Sequence, residues 1–346
     1  MSELPIGFLT VPFGNLSLKE VAEFGGRNGF EFLELAAWPG RTSRTEGEAA
    51  YVANHLGDNL KDFTQMRADD INANIQKAGM KGISAMAFYE NMLTANAEER
   101  AFYHNHFKEL VPASEKLGVK LIGLFPGRNQ NLSVEGSLVE YGKVFPDMVK
   151  FAGDHGRKAM YEPCPMEWWI IDPKTGKPHR IGNIAYCPEN WRRINEMTPD
   201  MGINMDFSHL IWQNIDYLRA ANEFGNHIVH VHGKDARLLE GVRKVKNGLV
   251  YVDSPHAPDS TLDNSFEKGL FRDDWPVEGW GAGLYEHAIP GEGDLSWEEI
   301  VKALKGNGYS GPISVELEAS KYKPRDDPEL SKVGMIRSRN HLLQFV

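Results

Sequence analysis

Apolar and polar positions alternate in short runs along the chain, and a longer amphipathic stretch follows each run. The short runs have the period of two that is typical of β-strands, whereas the longer stretches repeat apolar residues every three or four positions, as helices do. Eight runs predict strands, at 6–11, 30–38, 82–89, 120–127, 158–165, 202–210, 227–235 and 311–318. The other stretches predict helices at 17–29, 69–80, 98–118, 137–156, 188–197, 214–225, 296–309 and 329–345.

The strict alternation of eight strands with helices predicts a (β/α)8 TIM barrel and disfavours a doubly wound open sheet. No Gly-x-Gly-x-x-Gly pattern follows the first strand, which argues against a dinucleotide-binding domain. The 346 residues exceed the length of a minimal barrel. We therefore expect a single domain over 1–346 whose βα loops at 39–67, 166–186 and 236–294 are enlarged at the C-terminal face of the barrel, the last as a lid-like insertion.

Composition and charge narrow the class of protein. The formal net charge of −10 opposes a nucleic-acid binder, which would present a basic surface. No apolar run approaches the ~20 residues of a membrane span. The two cysteines are too few for a disulfide framework, and the N-terminus does not resemble a cleavable leader. We expect a cytoplasmic protein that binds neither nucleic acid nor a membrane.

Strand parity separates side chains that face the barrel interior from those that face the helices. In HIVHVH (227–232) the helix-facing positions should be apolar, so Val229 and Val231 point outward while His230 and His232 point inward. The same rule places an inward-facing acid near the C-terminal end of three other strands: Glu162, Asp206 and Glu316.

Four inward-facing residues at one height favour a metal site, although each alone is equally compatible with a satisfied polar residue in a core. Three carboxylates that converged without a cation would repel one another and raise their pKa values. Three oxygen donors and one imidazole suit Mn²⁺, Mg²⁺, Co²⁺ or Fe²⁺ better than a thiolate-rich zinc site. We expect one divalent ion on Glu162, Asp206, His232 and Glu316, with Mn²⁺ as first choice and Mg²⁺, Co²⁺, Fe²⁺ or Zn²⁺ as alternatives.

Five motifs resemble those of a known family, the xylose isomerase-like TIM barrels of the sugar phosphate isomerase/epimerase superfamily. They are YEPCP (161–165), NMDFSHLIWQ (204–213), HVHGKDAR (230–237), IPGEGDLSW (289–297) and GYSGPISVELE (308–318). The resemblance implies a single divalent metal held by Glu, Asp, His and Glu on strands five to eight, which are the four residues above. It also implies that His232 is the ligand of the histidine pair, that His230 lies one layer deeper as a supporting residue, and that His209 contacts substrate oxygens.

Such a site suggests proton transfer next to a carbonyl group. A metal that chelates a carbonyl and the adjacent hydroxyl acidifies the C–H between them and stabilises an enediolate. Glu162 and Glu316 come from non-adjacent strands, so we expect them to flank the sugar as acid and base. The candidate substrate-binding residues are His209, Glu167, Lys234, Arg237 and Trp38, although a solvated loop explains Lys234 and Arg237 equally well, and His287 is a weaker candidate for a lid-borne acid or base.

The sequence favours an isomerase or epimerase acting on a keto sugar or inositol derivative, with a small-molecule sugar as its partner. The alternative is a metal-dependent lyase, dehydratase or deglycosidase that cleaves a 3-keto glycoside by enolisation and β-elimination. Leu238 stands where several ketose epimerases have arginine, and the 236–294 insertion is long, so the identity of the substrate stays open.

Two other classes of protein fit the sequence less well. A DNA-repair endonuclease would need more metal ligands and a basic groove, and a binding protein would not need the metal set. A homo-oligomer is the default assembly.

Overall fold

A closed barrel of eight parallel strands forms the centre of the protein, and its strands follow one another in chain order. The computed structural model describes residues 3–39, 53–57, 59–129, 131–165, 168–171, 178–238, 285–324 and 326–346. The first barrel strand pairs with the last, with Ile6 opposite Ile313. This closure, together with the helices between the strands, confirms the (β/α)8 TIM barrel.

Twelve strands are described, of which eight form the barrel and four form two hairpins. They are β1 (Ile6–Leu9), β2 (Phe32–Ala36), β3 (Gly82–Asn91), β4 (Leu121–Phe125), β5 (Lys158–Tyr161), β6 (Trp168–Ile171), β7 (Pro178–Ile181), β8 (Gly202–Asp206), β9 (Ile228–Gly233), β10 (Asp235–Leu238), β11 (Tyr285–Ala288) and β12 (Ile313–Val315). Strands β6 and β7 pair with each other, as do β10 and β11, and both pairs are antiparallel.

Most of the described helices begin at a polar side chain that caps them, and the two exceptions follow Cys187 and Phe207. The helices are α1 (Leu18–Arg27), α2 (Gln65–Lys77), α3 (Ala97–Leu117), α4 (Val134–Asp154), α5 (Pro188–Met197), α6 (Ser208–Trp212), α7 (Tyr217–Glu223), α8 (Trp297–Gly306) and α9 (Pro328–Leu342). At the start of α1, the Ser17 side chain accepts from the Glu20 N–H while Glu20 accepts from the Ser17 N–H, which is a capping box. None of the described helices has both the length and the apolar character of a membrane span.

The predicted strand at 202–210 is wrong after Asp206, because residues from Ser208 onward form α6. Asp206 Oδ1 accepts a hydrogen bond of 2.9 Å from the Ser208 N–H, and this short link turns the chain out of the strand. The strand predicted at 158–165 likewise ends at Tyr161, so Glu162 lies immediately after it. Both acids therefore occupy the C-terminal end of the barrel, where TIM barrels keep their sites.

The expected lid falls mostly outside the described residues. The hairpin of β10 and β11 joins the two ends of the long insertion, with Ala236 opposite His287, and residues 239–284 between them are not described. The lid therefore stays a prediction. The alternation pattern did not reveal either hairpin, because each of these strands is four residues long, too short for a period of two to stand out.

One glycine inside the barrel makes room for a neighbouring aromatic residue. Gly123 lies on β4, and a Cβ atom at this position would overlap the hydroxyl group of Tyr89 from β3. Tyr89 is 4% exposed and fills this space. The absence of a side chain at Gly123 thus allows Tyr89 to reach across the interior toward β2.

Candidate active site

The four residues expected to bind a metal meet at the C-terminal end of the barrel. Ligand atoms of Glu162, Asp206, His232 and Glu316 all lie within 4.8 Å of one another, and all four residues are buried. His232 Nδ1 is 3.0 Å from Glu316 Oε2 and 3.6 Å from Glu162 Oε1. The fold therefore brings together the set that parity and the family resemblance selected.

This donor set fits a divalent cation. Atoms that bind one ion at about 2.1 Å lie about 3 Å apart when they are neighbours in an octahedron, which is close to the His232–Glu316 separation. Asp206 Oδ2 and His232 Nδ1 are buried and make no hydrogen bond of good geometry within the described part of the chain. Their near neighbours are instead charged groups, so a cation at this point would satisfy several atoms at once.

Lys234 belongs to the same cluster, so the solvated-loop alternative is wrong for this residue. Its side chain is 2% exposed, and its Nζ lies 2.8 Å from Glu316 Oε2, 2.9 Å from Asp206 Oδ2 and 2.8 Å from Glu318 Oε2. Burial alone would lower the pKa of Lys234, but Asp206, Glu316 and Glu318 outweigh it and raise that pKa well above its usual value. Lys234 is therefore a fixed positive charge, and together with a divalent ion it would balance the three carboxylates of the ligand set.

His209, on α6, also reaches the cluster. Its Nε2 lies 3.2 Å from Asp206 Oδ2 and 3.5 Å from Glu162 Oε1. Burial opposes a charge on His209, yet the pKa of His209 is raised well above its usual value by Cys164 and Asp206. In turn, Lys234 and His209 overcome the effect of burial on Asp206 and hold the pKa of Asp206 well below its usual range.

Trp38 and Arg237, two of the other predicted substrate-binding residues, do not join this cluster. Trp38 is 2% exposed and packs against Tyr89, with ring centroids 6.0 Å apart. Arg237 is 56% exposed and pairs with Glu286 across the β10–β11 hairpin. Glu167 lies outside the described residues. Contact of these residues with substrate stays a prediction.

Glu34, on β2, is a buried acid that the sequence interpretation missed. Its side chain is 0% exposed, and its two carboxylate oxygens lie 3.2 and 3.1 Å from His232 Nε2. Tyr89 donates a hydrogen bond of 2.9 Å to Glu34 Oε1. The available signal was a single acid inside the apolar run Phe32–Ala36. Burying an acid in a strand is costly unless another side chain pairs with it.

Glu318 is the second acid that was missed. It lies two residues after Glu316, shares its parity, and contacts Lys234, while His287 Nε2 lies 3.7 Å from Glu318 Oε2. Burial lowers the pKa of His287 to about 4, so this histidine is neutral at ordinary pH. The sequence signal was present in SVELE (314–318), where both acids occupy alternate positions.

His230 lies below His232, as expected for a supporting residue. It is 0% exposed, its Nε2 lies 3.1 Å from Ser84 Oγ, and its Nδ1 lies 2.9 Å from the side chain of Asn204. Burial lowers the pKa of His230 to about 4. The two histidines of the strand therefore share a face, but their pKa values shift in opposite directions.

Comparison with known proteins agrees with this barrel fold. A family model described as a xylose isomerase-like TIM barrel matches residues 25–339, which is most of the chain. The chain belongs to this family. The match extends on both sides of residues 161–318, the part of the chain that contains the five motifs.

Individual known proteins match parts of the sequence. The chain is 32% identical over 169 residues to the uncharacterized protein YfiH of Bacillus subtilis, across 46% of this chain and 47% of that protein. It is 27% identical over 142 residues to an inosose dehydratase of Clostridium perfringens, across 40% of this chain and 39% of that enzyme. The chain thus aligns with less than half the length of these two relatives.

A solved structure shows the likeness of fold over the whole chain. The xylose isomerase domain protein from Planctomyces limnophilus superimposes with a TM-score of 0.62 and 16% sequence identity. The superposition covers 99% of this chain and 98% of that chain. At this identity the likeness concerns the architecture, and the chemistry has to be inferred from the site.

Proposed function

We propose that the protein is a divalent-metal-dependent enzyme that enolises a keto sugar or an inositol-derived ketone. The observation that carries this proposal is the buried group of Glu162, Asp206, His232 and Glu316, whose ligand atoms lie within 4.8 Å of one another beside the fixed charge of Lys234. Mn²⁺ is the first candidate for the ion, because oxygen donors dominate the set.

The four residues of this group would hold the ion. A bound divalent metal supplies a Lewis acid that polarises a substrate carbonyl and acidifies the neighbouring C–H. Glu162 follows β5 and Glu316 follows β12, and these strands are separated by β8 and β9 in the barrel. Their carboxylates are thus able to approach a substrate from different sides, so we assign them the removal and return of the proton.

His209 and Lys234 would orient the substrate. His209 Nε2 lies 3.2 Å from Lys234 Nζ, so the two side chains flank one point where a hydroxyl or carbonyl oxygen would bind. Lys234 also contacts Glu318, which keeps its ammonium group in place. A sugar with adjacent carbonyl and hydroxyl oxygens suits such a pair of polar side chains.

Isomerisation or epimerisation is the first candidate outcome, because Glu162 and Glu316 provide one acid–base group for each side of the substrate. β-Elimination, as in a dehydratase or a deglycosidase acting on a 3-keto glycoside, is the second candidate. The similarity to an inosose dehydratase favours it, and so does the ammonium group of Lys234, which would assist a departing hydroxyl group. A homo-oligomer, a cytoplasmic location and the lack of nucleic-acid binding stay predictions from the sequence.

Proton NMR in D₂O tests the proposal and separates its two outcomes. A ketose, an inosose and a 3-keto glucoside are each incubated with the protein and Mn²⁺, or with EDTA, and the products are observed after the metal is removed. Metal-dependent loss of the α-proton with formation of a stereoisomer supports the epimerase, whereas loss of water or of the aglycone supports the lyase. Glu162→Gln should abolish the exchange, and the matched control Glu140→Gln, in α4, should retain it. Absence of exchange with all three compounds would overturn the proposal.

A further inference from the structure

A continuous line of polar side chains lies inside the barrel below His232. Ser84, on β3, donates a hydrogen bond of 3.2 Å to the carbonyl oxygen of Leu33, and its Oγ lies 3.1 Å from His230 Nε2. On the other side of that ring, Asn204 Oδ1 lies 2.9 Å from His230 Nδ1. Asn204 Nδ2 lies 2.8 Å from His232 Nε2. Three polar side chains therefore link a backbone carbonyl to the candidate metal ligand.

Asn204 Oδ1 only accepts hydrogen bonds, so His230 Nδ1 donates to it, and the neutral ring presents its bare Nε2 to Ser84 Oγ. Asn204 Nδ2 donates to the Tyr89 hydroxyl, which in turn donates to Glu34 Oε1. The Ser84–His230–Asn204 chain therefore reaches Glu34 through Tyr89 and supports the carboxylate beside His232.

Glu34 decides which ring nitrogen of His232 carries the hydrogen. Both of its oxygens lie within hydrogen-bond distance of His232 Nε2, at 3.2 and 3.1 Å. An ionised carboxylate only accepts hydrogen bonds, so a bare ring nitrogen at this point would face two sets of lone pairs. The hydrogen bond from Tyr89 holds the carboxylate in this place. With the hydrogen on Nε2, the lone pair of His232 lies on Nδ1, which faces Glu162 and Glu316.

We propose that Glu34, supported by the Ser84–His230–Asn204 chain, is a positioning residue that holds His232 in the Nε2–H form and aims Nδ1 at the metal. This inference rests on the divalent metal of the proposed function. A carboxylate that accepts the second N–H of a metal-bound histidine fixes the orientation of the ring and increases its basicity. Glu34 would thus set the affinity for the ion without touching it.

Metal affinity of the full chain, measured without substrate, tests the role of Glu34. The Kd for Zn²⁺ is obtained by competition with a chromophoric chelator for the wild type, Glu34→Gln and Ser84→Ala. Removal of such a carboxylate typically weakens binding by about 10- to 100-fold, which is the change expected for Glu34→Gln, and Ser84→Ala should cause a smaller loss of about threefold to tenfold. The matched control is Ser338→Ala, which removes a buried hydrogen bond to the Gly334 carbonyl in α9 and should leave the Kd unchanged.

The ring form of His232 gives a second measurement that needs no substitution at Glu34. In ¹⁵N-histidine-labelled wild-type protein loaded with Zn²⁺, the His232 signals, identified by their loss in His232→Gln, should show hydrogen on Nε2 and the metal on Nδ1. Hydrogen on Nδ1 and the metal on Nε2 would overturn the inference, and so would wild-type metal affinity in a folded Glu34→Gln protein. Either result leaves the proposed function standing. Failure of the wild type to bind Zn²⁺ or Mn²⁺ overturns the two together.

Discussion

Two histidines separated by one residue have opposite electrostatic properties, and the difference follows from their contacts. Burial lowers the pKa of His230 to about 4, and the nearest Glu34 oxygen is 4.0 Å away. Burial acts equally on His232, but Glu316, Glu34 and Glu162 outweigh it and raise the pKa of His232 well above its usual value. The carboxylates that surround His232 in the metal-free protein thus account for the opposite directions of the two pKa shifts.

His230 should make the metal-free protein less stable in mild acid. The pKa of His230 is about 4 in the folded protein and about 6.5 in an unfolded chain, so between these values the unfolded chain binds more protons. The free energy of unfolding therefore falls as the pH drops through this window, by up to about 3 kcal/mol. Urea unfolding in EDTA at several pH values should show a shallower pH dependence for His230→Gln, and equal slopes would contradict the prediction.

Lys234 should stabilise the protein most when no metal is bound. Lys234→Met leaves buried carboxylates without their cation, at a cost of about 3–5 kcal/mol. Urea unfolding in EDTA measures this cost, and saturating Mn²⁺ should recover part of it. The control Lys150→Met breaks an exposed pair with Asp154 and should cost at most about 0.5 kcal/mol. Equal losses in the two variants would show that Lys234 has no special role.

At the level of elements, one asparagine holds together the loops that follow β4 and β5. Asn183 is 2% exposed, and its side-chain oxygen accepts from the Gly127 N–H at 3.0 Å and the Ala185 N–H at 3.2 Å. Its amide nitrogen donates to the carbonyl oxygens of Glu162 and Cys164, at 3.2 and 3.0 Å. The backbone that carries Glu162 is therefore fixed by a residue from a distant part of its loop.

Asn183→Ala should lower both stability and metal affinity. Loss of these buried hydrogen bonds leaves backbone groups unsatisfied, which costs about 2–4 kcal/mol, and frees the Glu162 segment. Denaturant unfolding and Zn²⁺ competition measure the two effects. Ser17→Ala, which removes the cap of α1, should cost about 1 kcal/mol without changing the Kd. A wild-type Kd in Asn183→Ala would show that Glu162 does not depend on this loop.

The barrel and the cluster of Glu162, Asp206, His232 and Glu316 could be predicted from sequence because both depend on local periodicity. Parity along β9 identified His232 as inward-facing, and the same rule worked for Asp206 on β8. Glu34 and Lys234 were less accessible, because their partners come from strands distant in the chain, as the Glu34–His232 contact shows. The end of β8 was misplaced since one side-chain hydrogen bond, from Ser208 N–H to Asp206, outweighs an apolar pattern that continues.

For the whole molecule, the candidate ligands come from the second half of the barrel. They lie on or directly after β5, β8, β9 and β12, while β2 supplies the Glu34 support. An ion at this point would link four strands that otherwise interact through backbone pairing and core packing. Its effect should therefore extend to the unfolding of the entire barrel.

Removal of the metal should lower the melting temperature of the whole protein. An ion present at about 100 times its Kd stabilises the folded state by about 2.7 kcal/mol. Differential scanning calorimetry with Mn²⁺ and with EDTA should show this shift in a single transition. The shift should disappear in Asp206→Asn, which removes a charged ligand of similar shape. A persistent shift in that variant would place the ion elsewhere.

Gly123 gives this site a mutational vulnerability that a map of metal contacts would not reveal. Any side chain on β4 at this position displaces the Tyr89 hydroxyl, and with it the hydrogen bond to Glu34. In a saturation-mutagenesis screen for metal-dependent growth or activity, Gly123 should tolerate no replacement, although it touches neither ligand nor substrate. Variation among natural relatives should follow the same rule: a larger residue at this position should coincide with a smaller one in place of Tyr89.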